Sequence, residues 1–235
     1  MTRFMKRPTL FTLFSGIGGI DIGFMQAGFQ VVGANEWDAA AAITYMTNLC
    51  SLPVHIHYLA EADQARLDRE ARRLIKKNDK GEVEYFPQAG TGWIKSVPEI
   101  PPVKDFWFGD VCKLKGYDIL DTLNMDYGEI TCVAGGPPCQ GFSHAGKREV
   151  GDKRNKLVYE MARLITELMP QTFFVENVPG LRTMTEPDGT LVIDNFLEMV
   201  RGEGYSDTRT TQQSKIVLDA YNSISDPQTK LWGWA

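Results

Sequence analysis

The chain has four cysteines in 235 residues, Cys50, Cys112, Cys132 and Cys139, and no C-x-x-C pairing among them. That absence argues against a zinc site and against a disulfide framework. No apolar run reaches the ~18 residues of a membrane span. The basic N-terminal stretch, Met1 to Pro8, is not followed by an apolar h-region with a cleavage site. A cytoplasmic protein is the expectation. There is no excess of positive charge either: the net charge is −5, so contact with nucleic acid would need a local basic surface. One stretch qualifies, Lys147 to Lys156 with Lys147, Arg148, Lys153 and Arg154; without context such a cluster reads as a solvated loop. No internal repeat or low-complexity tract is present. A content of 43% hydrophobic and 23% charged residues is that of a globular protein, and the length suffices for one large α/β domain.

Short apolar runs predict strands at Leu10–Phe14, Phe29–Ala34, Lys104–Phe108, Ile130–Ala134 and Thr172–Val175. Between them lie helical patterns. Ile20, Phe24 and Ala27 recur at helical spacing after a glycine turn, and Asp38 is placed to cap a helix through Leu49. Leu157, Met161, Leu164, Ile165 and Leu168 form one helical face, and Val192–Val200 another helix. Alternating strands and helices imply a doubly wound, mostly parallel sheet. From Tyr58 to Pro102 the rhythm breaks into a charged helix (Leu59–Lys77) and turn-rich sequence, expected to be an insertion projecting from the core.

Three strand ends carry candidate ligand-binding groups. Phe14-Ser15-Gly16-Ile17-Gly18-Gly19 joins the first strand to the first helix, whose open N-terminus suits a carboxylate or phosphate. It is not the dinucleotide fingerprint, because Asp21 stands where the third glycine belongs. Glu36 ends the second strand, where an acid binds ribose hydroxyls; Trp37 offers a flat face to an adenine, and Asp110 ends the third strand as an acceptor for an amino group. After the fourth strand comes Gly135-Gly136-Pro137-Pro138-Cys139-Gln140-Gly141-Phe142-Ser143. Glycines allow close approach, prolines stiffen it, and the thiol stands at the edge where open sheets bind ligands, which suits a nucleophile. Glu176 ends the fifth strand, beside the fourth in such a sheet; burial there would let it keep a proton.

The Gly135–Ser143 block resembles the catalytic motif of the cytosine-5 DNA methyltransferases, and Glu176-Asn177-Val178 resembles that family's second catalytic motif. The resemblance implies an α/β fold of the S-adenosylmethionine-dependent methyltransferase (Rossmann-like) type. It implies S-adenosylmethionine as cofactor, with its amino-acid end at Phe14–Gly19, ribose on Glu36, and adenine between Trp37 and Asp110; Val111, Pro138 and Leu157 complete the pocket. It further implies that Cys139 adds to C6 of a cytosine extruded from double-stranded DNA while Glu176 acts near N3. Arg154-Asn155-Lys156-Leu157 resembles the segment closing the family's mobile loop. Gln140, Ser143, Lys147, Arg148 and Arg154 would then meet the DNA, in a restriction-modification or phage setting.

The family's Gln-x-Arg-x-Arg motif has its nearest counterpart in Pro227-Gln228-Thr229-Lys230-Leu231-Trp232. Lys230 replaces the first arginine as a DNA contact without its bidentate geometry, and Trp232 replaces the second. The target-recognition region and C-terminal motifs are not matched. The expectation is one catalytic domain over residues 1–235, incomplete at its C-terminus, with the insertion at 58–102 and no metal. Three explanations stand: half of a split enzyme completed by a second polypeptide, a truncated product, or an inactive relative. Methylation of cytosine in tRNA and a cofactor-binding partner without turnover are the competing functions. A nicotinamide oxidoreductase is disfavoured by Asp21.

Overall fold

The computed structural model describes residues 7–85, 87–138, 156–177, 181, 183–186 and 188–202. In chain order the elements are β1 (Thr9–Leu13), α1 (Gly19–Gln26), β2 (Gln30–Glu36), α2 (Ala39–Leu49), β3 (Cys50–Tyr58), α3 (Asp63–Arg73), β4 (Lys76–Lys77), β5 (Val83–Tyr85), β6 (Val103–Phe108), α4 (Gly116–Leu123), β7 (Cys132–Gly135), α5 (Lys156–Leu168), β8 (Thr172–Val175) and α6 (Val192–Gly202). Six strands form one parallel sheet in the order β3-β6-β2-β1-β7-β8. The two remaining strands pair as a small antiparallel hairpin.

The strand period of two separates two apolar layers. Leu10 of β1 and Cys132 and Ala134 of β7 join Ala42, Ile43, Tyr45, Met46 and Leu49 of α2 and Met25 of α1 on one face. Phe11 and Leu13 of β1 and Val133 of β7 join Ile119 of α4, Met161, Leu164, Ile165 and Leu168 of α5, and Phe196 of α6 on the other. Every residue of β1 is buried, as a central parallel strand covered on both faces requires. The predicted α/β doubly wound sheet is the observed fold.

The chain runs from β1 through β2 to the edge strand β3, returns to insert β6 between β3 and β2, then restarts on the other side of β1 with β7 and β8. The reversal of direction falls between β1 and β7, and ligands bind outside the carboxyl ends of strands at such a point. Phe14 and Gly136 follow those two strands directly.

Local expectations fare unevenly. Asp38 caps α2, accepting from the N–H of Ala41 at 2.8 Å. The predicted face of α1 is rotated: Asp21 and Met25 point inward, Ile20 and Phe24 are half-buried, and Ala27 is exposed. The charged helix is shorter than Leu59–Lys77, and β3 and α4 were not predicted. Among the described residues no helix is long and apolar enough to cross a membrane.

Candidate active site

The turn after β1 is held by its own backbone. The N–H of Ser15 donates to the carbonyl of Asn35 at 3.0 Å, and that of Gly18 to the carbonyl of Ser15 at 3.0 Å. Phe14 enters the turn at φ 52, Gly16 lies at φ 56 and Gly18 at φ 95. A non-glycine residue at positive φ is strained and persists where surrounding structure over-determines it. Gly18 is required twice over: besides its φ, a Cβ there would overlap Leu49 Cδ1 and stand 3.0 Å from the ring of Tyr45. Above the turn there is open space beside Gly16 and Gly19, and Ile17 is exposed. Ser15 is buried and its Oγ has no hydrogen-bond partner.

Glu36 is bound into this turn. Its Oε2 accepts from the N–H of Gly16 at 2.7 Å, and its Oε1 from those of Trp37 and Asp38 at 2.8 and 2.7 Å. A carboxylate offers about four lone-pair sites, so these donors leave one free, on Oε2. Trp37 is 57% exposed and is therefore not a core residue. Asp110 Oδ1 accepts from the N–H of Cys112 at 3.0 Å, capping a short 3₁₀ turn, Val111–Lys113, whose Val111 is buried. Beneath the turn sits a group the sequence marked only as a departure from another motif. Asp21 is fully buried and its Oδ1 accepts from Thr12 Oγ1 and from Tyr45 OH, each at 2.7 Å. Burial raises its pKa to about 6, against the opposing effect of these hydrogen bonds.

On the other side of the reversal, β7 and β8 pair in register, Gly135 opposite Val175. The N–H of Glu176 donates to the carbonyl of Gly135 at 2.9 Å. A Cβ on Gly136 would lie 3.1 Å from Glu176 Oε2, so the carboxylate lies directly over the glycine that leads into Pro137-Pro138. Asn177 Nδ2 donates to the carbonyl of Pro137 at 3.1 Å, a tether that sequence reading missed. Glu176 is exposed, contrary to the expected burial. The reason is its place beyond β8, an outer strand whose own residues are only half-buried. Leu157, in the first turn of α5, is half-buried against the core.

Cys139, Gln140, Ser143, Lys147, Arg148, Arg154 and Lys230 lie outside the described residues. The three described cysteines are poor nucleophiles. Burial pushes the thiol of Cys132 up to about 12 and that of Cys50 higher still. Partial desolvation, with the hydrogen bond and charge of Asp110, pushes Cys112 up to about 11.

Comparison with known proteins places the chain among relatives. The chain is 27% identical over 198 residues to the type II methyltransferase M.FnuDI of Fusobacterium nucleatum, covering 84% of this chain and 39% of that protein. It is 30% identical over 170 residues to the type II methyltransferase M.HgiGI of Herpetosiphon aurantiacus, covering 72% of this chain and 90% of that protein. A solved structure of a candidate DNA modification methyltransferase encoded within an E. coli prophage superposes with a TM-score of 0.50 at 26% identity, over 83% of this chain and 38% of that one. The chain spans less than half the length of several curated relatives it matches, 39%, 49% and 42% for three that include M.FnuDI. Residues 9–74 and 103–217 match the family described as C-5 cytosine-specific DNA methylase. The chain belongs to that family.

Proposed function

We propose that this chain is the catalytic part of a DNA (cytosine-5)-methyltransferase that uses S-adenosylmethionine. One observation carries the reading: Glu176 lies over Gly136 and Asn177 holds Pro137, at the same sheet edge as the glycine turn after the adjacent strand β1. An acid, a rigid lead-in to Cys139 and a ligand-binding turn thus share one rim.

The residues present fit the cofactor. The unpartnered Ser15 Oγ and the open space beside Gly16 and Gly19 suit a charged amino-acid end. The free lone pair of Glu36 suits a ribose hydroxyl, and exposed Trp37 with Asp110 and Val111 suits the base. Pro138, two residues after Gly136, and Leu157 of α5 are assigned to the same pocket. When bound, S-adenosylmethionine supplies an electrophilic methyl group. The thiolate of Cys139 forms a bond to C6 of cytosine, which shifts electron density to C5, while Glu176 offsets the charge at N3. Once C5 carries the methyl group, its proton passes to solvent, and the electron pair left behind restores the ring and expels the thiolate. A stacked base cannot reach the thiol, so the cytosine is extruded. Gln140, Ser143, Lys147, Arg148, Arg154 and Lys230 serve the DNA backbone.

The test is trapping. Duplex DNA containing 5-fluorocytosine is incubated with labelled S-adenosylmethionine and the chain, alone and with the polypeptide encoded immediately downstream. A labelled covalent adduct on DNA, lost in Cys139→Ser, is expected with the pair. No adduct under either condition, or labelling of tRNA in place of DNA, overturns the reading.

A further inference from the structure

Helix α3 belongs to the crossover between β3 and β6, yet it sends one side chain to the proposed cofactor edge. The guanidinium carbon of Arg66 lies 3.9 Å from the centroid of the Trp37 ring and 4.5 Å from that of Phe108. Its Nη1 donates to the carbonyl of Trp37 at 2.8 Å and its Nη2 to Asp63 Oδ1 at 3.1 Å. Phe108 is fully buried at the end of β6, so it forms a fixed floor. Arg66 lies on that floor, and Trp37 lies on Arg66.

The arrangement is costly in itself. Asp63 is 5% exposed and its carboxylate packs where a side chain on Gly109 would stand. Asp63 Oδ2 and Arg66 Nε are buried without a hydrogen-bond partner. A partly buried ion pair left partly unsatisfied adds little stability compared with apolar side chains of the same size, but it fixes geometry. What it fixes here is the indole of Trp37, gripped at its ring and at its own carbonyl. Lysine would not serve equally, because only a planar guanidinium stacks on two rings while donating in its plane.

We infer that Arg66 is a positioning residue for the cofactor's base: it holds the indole of Trp37 so that the ring's other face can receive the adenine. This rests on the cofactor reading above, and the test separates the two. Affinity for S-adenosylhomocysteine is measured calorimetrically for the full chain and for Arg66→Ala, Arg66→Lys, Trp37→Ala and the Arg66→Ala/Trp37→Ala double variant. Circular dichroism confirms folding. Arg66→Ala should weaken binding about tenfold, Arg66→Lys should fall between, and the double variant should bind no more weakly than Trp37→Ala alone. A purely structural role would not give that non-additivity. If Arg66→Ala does not fold, the cycle is run with Arg66→Lys. Unchanged affinity in the Arg66 variants, or an equal loss with and without Trp37, overturns the inference. Absence of binding by the unaltered chain overturns the cofactor reading, and the inference falls with it.

Discussion

The carboxylate of Glu36 accepts a 2.7 Å hydrogen bond from the backbone N–H of Gly16, twenty residues earlier. The acid at one strand end therefore shapes the glycine turn at the next, as well as standing beside it. Glu36→Gln tests both roles. An amide can accept at one oxygen only, so the variant must turn an NH2 group toward one of the three backbone donors. Such a mismatch costs ~1–3 kcal/mol. A lower melting temperature and at least tenfold weaker binding of S-adenosylhomocysteine are expected, read by scanning and titration calorimetry. Wild-type affinity in the folded variant would assign Glu36 to structure alone.

How much of this was legible in the sequence follows from where the information lies. The strands β1, β2, β6, β7 and β8 were readable because each is an apolar run closed within a few residues by a glycine or an acid, and their carboxyl-end residues were readable with them. β3 was not, because it follows α2 without a turn and is a half-exposed outer strand. Its proline, Pro53, is at home on a sheet edge, which was the one available signal. Asp21 looked like a missing glycine, although an acid one turn into a helix beneath a glycine loop, with Thr12 and Tyr45 at hand, could have been read as a buried anchor. Arg66 carried no signal at all. Its meeting with Trp37 depends on how α3 crosses the sheet, which no local pattern encodes.

Asp21 makes stability depend on pH. Its folded pKa of about 6 stands above the ordinary carboxyl value of 3.8, so between those values the folded chain binds the proton more tightly. The stabilisation is fully present below the lower value and is lost as pH rises through the upper one, amounting to about 3 kcal/mol. Tyr45 stays protonated throughout, its pKa raised by burial and by Asp21. Asp21→Asn removes the titration while keeping an oxygen for Thr12 and Tyr45. Urea unfolding at pH 4.5 and 7.5 should show the variant gaining about 2 kcal/mol on the wild type over that interval. A constant difference would show that Asp21 does not titrate there.

The thiols should differ sharply in reactivity. Cys50 and Cys132 are buried, and Cys112 is exposed but held as the thiol by its surroundings, Asp110 included. At pH 7.5 none of the three supplies much thiolate. Rapid alkylation by iodoacetamide should therefore be confined to Cys139 and vanish in Cys139→Ser, as peptide mass mapping would show. Fast labelling of Cys112 would contradict the environment described for it.

If the proposed function holds, the tether from Asn177 to Pro137 should act on the placement of Cys139 and leave cofactor binding unchanged. Its 3.1 Å hydrogen bond joins the end of β8 to the proline lead-in. Asn177→Ala removes the donor, costing ~1 kcal/mol of stability, and loosens the hold of β8 on Pro137. Because near-attack geometry is sensitive to displacements of about 1 Å, trapping of 5-fluorocytosine should slow at least tenfold while affinity for S-adenosylhomocysteine stays at the wild-type value. Asn177→Asp should be slower still, since it sets a carboxylate against the Pro137 carbonyl where an amide had donated. Equal losses in trapping and in cofactor affinity would mean that the whole rim had moved, and the tether would then have no separate role.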